Sequence, residues 1–436
     1  MADGREKEKR RVPVILLSGF LGVGKTTMLR NLLQNTTKRV ACIVNDVASI
    51  NIDSKLVSNR VTGTTKDLVD TIELQNGCVC CSLRDELFVS LRKLLVRAKR
   101  KRKRYDFVVV ENSGVAEPSN IRDQFHEASL LHQLLLRRIY LKTMVTVVDS
   151  CRFFDEYYSR DTILERPDLG QGGSLPVVDL LIQQVECADL VVLNKSDLME
   201  RDGGGESAMG RLQECVHTLN PLAKILVATN GEIPFDYCLL NDDEDKNALM
   251  ARITNEGMIR GCVSAAASKH HHGQGEEGGY HNRYGITSWV YQRRRPFHPE
   301  RLAEAIREVV PKAPEKGKRE GPRPWPTDSH VIRSKGFVWL SSAPSQIFYW
   351  SHAHFSFELV PEGEWWDAIP REEWPQEDDQ VDAIMKDFED GGAGDRRQEI
   401  VFIGVLSETA RAEVEKKLDR ALLTEEEYGE YCRFND

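Results

Sequence analysis

The chain has 436 residues, 29% of them charged, and a formal net charge of −9. That length exceeds what one hydrophobic core usually organises, so two domains are expected, and the acidic balance argues against a general nucleic-acid binder, whose footprint is basic. Ten cysteines behind a charged, non-apolar N-terminus point to a reducing, cytoplasmic setting, and no apolar run approaches the roughly 18 residues of a membrane span.

Residues 1–11 read as a charged tail. Over 12–240, nearly continuous Val/Ile-rich runs at 12–17, 40–45, 71–74, 107–111, 144–149, 190–194 and 225–228 alternate with amphipathic stretches at 25–33, 84–98, 120–135, 176–185 and 208–219. Continuous apolar runs suit parallel strands buried on both faces. Their alternation with helices predicts a doubly wound, mostly parallel α/β domain whose ligands sit beyond the carboxyl ends of the strands. Residues 241–280, polar and Gly-rich with His270, His271 and His272, read as a linker. Residues 281–436 mix strand-like runs (285–291, 336–340, 347–350, 354–359, 399–403) with helical ones (299–310, 380–388, 408–422), which predicts a smaller α+β C-terminal domain, and the Gly/Asp-rich 390–396 reads as a loop. The basic run Lys99, Arg100, Lys101, Arg102, Lys103, Arg104 reads as the solvated end of a helix, with a nuclear address or an RNA contact as the alternative.

Gly19-Phe20-Leu21-Gly22-Val23-Gly24-Lys25-Thr26 matches GxxxxGK[ST] after an apolar strand and before a helix, the context a phosphate-binding loop requires. Backbone amides wrap the phosphates, the helix N-terminus adds positive charge, Lys25 reaches the β- and γ-phosphates and the Thr26 hydroxyl takes Mg2+. Asn194-Lys195-Ser196-Asp197 closes the strand at 190–194. A carboxylate there accepts two hydrogen bonds from guanine's N–H edge, a pair adenine lacks, so the nucleotide is GTP. Glu111, ahead of Asn112-Ser113-Gly114, can orient the Mg2+ shell or a water, and the Gly114 amide can approach the γ-phosphate. Asp46 is a second metal-shell residue, or a cap. The catalytic set is therefore Lys25, Glu111 and Asp46.

Cys78, Cys80 and Cys81 fall within four consecutive residues between a strand and a helix. A helix N-terminus lowers a thiol pKa. Three thiolates around one ion leave a fourth position open, as transfer requires, and soft sulfur favours Zn2+ or Cu(I) over Co2+ or Ni2+. Buried thiols or a redox disulfide are the plainer alternatives. His270, His271 and His272 with His281 can gather metal or serve as polar filler. His352 and His354, two apart on a predicted strand, are expected on one face.

The order of phosphate loop, Asn45-Asp46, Asn76-Gly77-Cys78-Val79-Cys80-Cys81, Glu111-Asn112-Ser113-Gly114 and Asn194-Lys195-Ser196-Asp197 resembles the CobW-type metallochaperone GTPases, the CobW/HypB/UreG class that includes helpers of nickel insertion. Asn51-Ile52-Asp53, Tyr284-Gly285-Ile286, Arg295-Pro296-Phe297-His298-Pro299, Arg333-Ser334-Lys335-Gly336 and Arg396-Arg397-Gln398-Glu399 are similar to the subgroup tied to zinc starvation in bacteria. The resemblance implies a P-loop domain of SIMIBI type, a CobW-type C-terminal domain, and slow GTP hydrolysis coupled to delivery of zinc (cobalt as the lesser option) to a metal-requiring client protein, with a homodimer as one arrangement. It assigns Gly19, Gly22, Val23, Gly24, Lys25, Thr26, Thr27 and Gly114 to phosphate and Mg2+, Asn194, Lys195 and Asp197 to guanine, and Cys78, Cys80 and Cys81 to the carried metal. A regulatory GTPase switch with a structural thiol cluster and a cobalt-chelatase-associated GTPase are the rival functions.

Overall fold

The computed structural model of the chain describes residues 11–44, 69–73, 83–130, 134–159, 161–166, 175–201, 205–234, 238, 286–310, 330–376, 378–389 and 393–435. Asp46, Cys78, Cys80, Cys81, His270, His271, His272 and His281 lie outside them. The chain divides into two compact units, Met1–Met258 and Ile259–Asp436.

The first unit is built on β1 (Val12–Ser18), β2 (Val40–Val44), β3 (Val69–Glu73), β4 (Phe107–Glu111), β5 (Ile139–Asp149), β6 (Leu190–Asn194) and β7 (Lys224–Val227). They form one seven-stranded sheet in the order β3-β2-β4-β1-β5-β6-β7, and every neighbouring pair is parallel. Helices α1 (Lys25–Asn35), α2 (Leu83–Arg100), α3 (Pro118–Leu130), α4 (Phe153–Tyr157), α5 (Val177–Glu186), α6 (Ser196–Arg201) and α7 (Gly205–Leu219) make the connections. β2, β4 and β6 are buried along their whole length, because helices cover both faces. Val14, Leu16, Ala41, Ile43, Val108 and Val110 share a cluster with Leu87, Leu91 and Leu94 of α2 and Phe125 of α3. Ile15, Leu17 and Val109 alternate to the opposite face.

Four elements differ from the expectation. The helix expected over 120–135 is described over Pro118–Leu130, and residues 134–138 form a turn rather than its last part. β5 starts at Ile139 rather than 144, since Ile139, Tyr140, Leu141 and Thr143 pair with Val12 to Ile15 of β1. That pairing recruits Lys142 and Thr143 into a strand their polarity conceals. α4 and α6, of five and six residues, are too short to show a helical period.

The second unit holds a five-stranded antiparallel sheet, β11-β10-β9-β12-β8, made of β8 (Ile286–Arg293), β9 (His330–Val338), β10 (Gln346–Ala353), β11 (Ser356–Glu364) and β12 (Gln398–Val405). With it come α8 (Pro299–Val309), α9 (Asp378–Met385), α10 (Glu408–Ala421) and α11 (Glu425–Asn435). Trp289, Tyr291, Phe297, Leu302, Trp350, Phe402 and Leu418 form its core. The short motifs at 295–299, 333–336 and 396–399 serve this packing. Gln398 Nε2 donates to Arg295 O (2.9 Å) and Trp339 O (2.7 Å), while its Oε1 accepts Trp339 N–H (3.0 Å). A Cβ on Gly336 would fall 2.0 Å from Glu399 O, so only glycine lets β9 and β12 approach there.

The expected histidine pair is corrected. His352 ends its ring in a buried relay: Trp350 Nε1 donates to Ser334 Oγ (2.8 Å), which lies 3.1 Å from His352 Nδ1, and His352 Nε2 lies 2.6 Å from His354 O. Donor and acceptor roles fit a neutral ring carrying its proton on Nε2. His354 is outside β10, in the turn to β11 with φ of 54°. Strand alternation does not extend past Ala353, so the two rings are not a same-face pair.

Candidate functional site

The glycine loop leaves β1 at Ser18 and enters α1 at Lys25. Gly19 has φ of +131°, and a Cβ on it would sit 2.2 Å from Val147 O of β5. Gly24 has φ of +105°, and its Cβ would meet Asn194 Nδ2 at 2.5 Å. Both positions therefore need glycine for backbone angle and for room. Buried Lys25 folds across the loop and donates from Nζ to Gly19 O (2.8 Å) and Phe20 O (2.9 Å). The loop thus holds the ammonium where phosphate oxygens would compete with carbonyls for its protons.

Thr26 Oγ1 donates to Glu111 Oε1 at 2.7 Å. Glu111 is buried at the end of β4, opposite Leu17 of β1. A hydroxyl and a carboxylate are hard oxygen donors and suit Mg2+. After Glu111 the chain turns under the phosphate loop. Asn112 N–H donates to Leu17 O (2.8 Å), and a Cβ on Gly114 would lie 2.7 Å from Leu21 N. Gln184 of α5, itself buried, holds this turn by donating from Nε2 to Gly114 O (3.2 Å) and Ala116 O (3.5 Å). Any movement of the turn is therefore felt by the phosphate loop at Leu21.

Asn194 ties three segments together: its Nδ2 donates to Val23 O (2.9 Å) and its Oδ1 accepts Gly231 N–H (2.7 Å). Lys195 stands at φ of +62° and donates from Nζ to Gly22 O and to Asp149 Oδ2, both at 2.7 Å. Asp149 Oδ1 in turn accepts Cys151 N–H (3.0 Å) and Arg152 N–H (3.3 Å). Asp197 lies in the first turn of α6, half-buried. The segment after β7 closes over this corner: Ser196 N–H and Oγ reach Ala228 O at 3.2 and 3.1 Å, and Ser196 Oγ lies 2.9 Å from Thr229 Oγ1.

The loop residues Gly19, Gly22, Val23, Gly24, Lys25 and Thr26 thus meet Glu111, Gly114, Asn194 and Lys195 at one edge of the sheet, with Thr27 following in α1. Asp149, Gln184, Thr229 and Gly231 belong to the same corner and were not anticipated. Asn230-Gly231 carries a turn signal. Asp149 and Gln184 carry none, because each acts on a segment distant in sequence.

Among the described residues no group of three or more His, Cys, Asp and Glu is placed to hold a metal ion. Burial and the Glu111 carboxylate push the Cys42 thiol far above its usual range. Burial, with Glu214, raises Cys215 to about 12. Burial alone raises Cys238 to about 12. These three are core residues rather than ligands.

A family model described as the CobW/HypB/UreG nucleotide-binding domain matches residues 13–227, and one described as the cobalamin synthesis protein cobW C-terminal domain matches residues 286–422. The chain belongs to the CobW/HypB/UreG family. It is 34% identical over 430 residues to "Zinc-regulated GTPase metalloprotein activator 1" of Dictyostelium discoideum, covering 96% of this chain and 81% of that one. It is 28% identical to "Zinc chaperone CobW" of a Sinorhizobium species, over 77% of this chain and 84% of the relative. "Zinc chaperone YjiA" of Escherichia coli K12 is 25% identical over 78% of this chain and 85% of its own length. This family member is a P-loop GTPase. No helix among its described residues is long and apolar enough to cross a membrane.

Proposed function

We propose that this protein hydrolyses GTP and uses the cycle to bind zinc through Cys78, Cys80 and Cys81 and pass it to a metal-requiring client protein in a reducing, cytoplasmic setting. The strand order is what supports this reading. In an all-parallel sheet the carboxyl ends share one edge, and β3-β2-β4-β1 are consecutive neighbours. In sequence, β3, β2 and β1 lead into the thiol motif, Asp46 and the phosphate loop, and β4 ends on Glu111. Strands lie about 4.8 Å apart, so the carboxyl end of β3, where the thiol connection departs, lies roughly 14 Å from that of β1, where the phosphate loop departs, with Glu111 at the end of β4 between them. Loss of the γ-phosphate would release the Glu111–Gly114 turn and, through neighbouring strand ends, loosen the grip on zinc.

Thr26 and Glu111 would hold Mg2+, which when bound neutralises charge across the β- and γ-phosphates. Lys25 would hold the same phosphates, and Asp197 would read the guanine edge. Sulfur ligands favour zinc over cobalt. The test is a zinc titration with GTP, with GDP and without nucleotide, on the wild type and on C78S/C80S/C81S. Zinc affinity should change with the nucleotide and vanish in the triple variant while GTP binding persists. Equal zinc affinity in all three nucleotide states would refute the coupling.

A further inference from the structure

We propose that a basic cleft at the amino-terminal edge of the seven-stranded sheet docks an acidic, apolar-anchored peptide segment of a partner protein. The cleft holds about 440 Å³ and is walled by Leu95, Ala98 and Lys99 of α2, Lys103, Arg104 and Tyr105 ahead of β4, Arg138 ahead of β5, and Val12 of β1. β1 is seven residues long, so at about 3.3 Å per residue the cleft lies roughly 20 Å from the phosphate loop, at the opposite end of the strand.

Its composition sets the ligand class. The floor is apolar, with Val12, Ala98 and Tyr105 each 5% exposed or less. The rim is cationic, with Lys99, Arg104 and Arg138 exposed and Lys103 half-buried. A chain of net charge −9 that gathers cations from two separate segments, the run Lys99–Arg104 and Arg138, at one place focuses its field there.

Helix capping does not account for this gathering. Favourable charge at a helix C-terminus acts within the last turn, and Arg97, Lys99 and Arg100 already occupy it. Lys103, Arg104 and Arg138 lie beyond. α2 closes with Lys103 N–H donating to Ala98 O (3.0 Å) and Arg102 N–H to Lys99 O (3.1 Å), the Schellman pattern. The residue it places in the left-handed region is ordinarily glycine. Here it is Arg102, at φ of 52°. The cationic run stays unbroken at a position where glycine would sit without strain.

The partner follows from complementarity. Single-stranded nucleic acid would stack bases on open rings, and the ring in this lining, Tyr105, is 4% exposed. A glutamate- or aspartate-rich segment with one aliphatic residue satisfies both rim and floor. The chain's own first ten residues do not fit, with Arg5, Lys7, Lys9 and Arg10 against Asp3, Glu6 and Glu8.

The test uses the full chain and a fluorescent Asp/Glu-rich peptide with a central leucine, read by anisotropy at about 50 and about 300 mM NaCl. Saturable binding should weaken by about tenfold at the higher salt. It should fall by at least about tenfold in K99E/K103E/R104E/R138E, and several-fold when the peptide leucine becomes serine. GTP turnover should be unchanged. Should the quadruple variant misfold, R104E/R138E, at two exposed positions, carries the same expectation with about half the loss in free energy. Absence of saturable binding, equal binding by the reversed-charge variants, or tighter binding of an oligouridine of equal charge would overturn the proposal. Because anisotropy reads peptide binding directly, and GTP turnover serves only to show that the variants keep an intact nucleotide domain, failure here leaves the metallochaperone reading standing, and the converse also holds.

Discussion

Replacing Asp149 by asparagine isolates how Lys195 is held beside the phosphate loop. Lys195 Nζ bridges Gly22 O and Asp149 Oδ2 at 2.7 Å each, and the two side chains are 30% and 9% exposed. Asparagine keeps a carbonyl for the Cys151 and Arg152 amides but turns an amide donor toward the ammonium, so Lys195 retains Gly22 O alone. A partly buried, hydrogen-bonded ion pair, discounted for the exposure of the lysine, contributes about 1–2 kcal/mol. Lys195 also holds a left-handed backbone, at φ of +62°, at a cost of about 1 kcal/mol, which those bonds offset. D149N should therefore weaken GTP and GDP alike by about 5–30-fold, since neither bond senses the γ-phosphate. Turnover at saturating GTP should hold while KM rises, the sign of uniform binding. Fluorescent-nucleotide titrations measure the loss, and D149N/K195A should bind no worse than K195A. If D149N binds both nucleotides within about twofold of wild type, Asp149 does not position Lys195.

Gly19→Ala should abolish nucleotide binding in the same titrations, because its Cβ meets a backbone oxygen at 2.2 Å. Gly114→Ala should instead slow GTP hydrolysis by about tenfold or more with a smaller loss of GDP affinity, since its Cβ displaces the turn from Leu21 N at 2.7 Å and the γ-phosphate is the group the Gly114 amide is expected to approach. Gln398→Ala strips three hydrogen bonds from a buried site and should lower stability by about 2–4 kcal/mol in urea unfolding of the chain. Cys215 and Cys238 titrate near 12 when folded, above their unfolded values. Their burial therefore stabilises fully below the unfolded thiol pKa, and that stability is lost as pH rises from about 9 toward 12. The urea midpoint should fall between pH 7 and pH 10, and both thiols, with Cys42, should resist disulfide-exchange labelling at pH 8 until the chain is denatured.

Local chemistry was legible from residue order alone. A phosphate loop is a run of backbone angles, and Gly19 and Gly24 stand where positive φ is required; Val/Ile-rich runs between helical stretches told of a parallel sheet buried on both faces. Contiguous residues encode these features because the forces that shape them act within a turn or a strand. The partners of that loop were not legible. Asp149 acts on Lys195 across 46 residues, Gln184 on Gly114 across 70 and Asn194 on Gly231 across 37, and nothing in their neighbourhoods announces it. The same holds for the early start of β5, which exists because β1 supplies its ladder, and for His354, which leaves the strand where a turn intervenes. Strand order decides which distant carbonyls and carboxylates come within hydrogen-bond reach, and that order is settled by how helices and strands bury their apolar faces together.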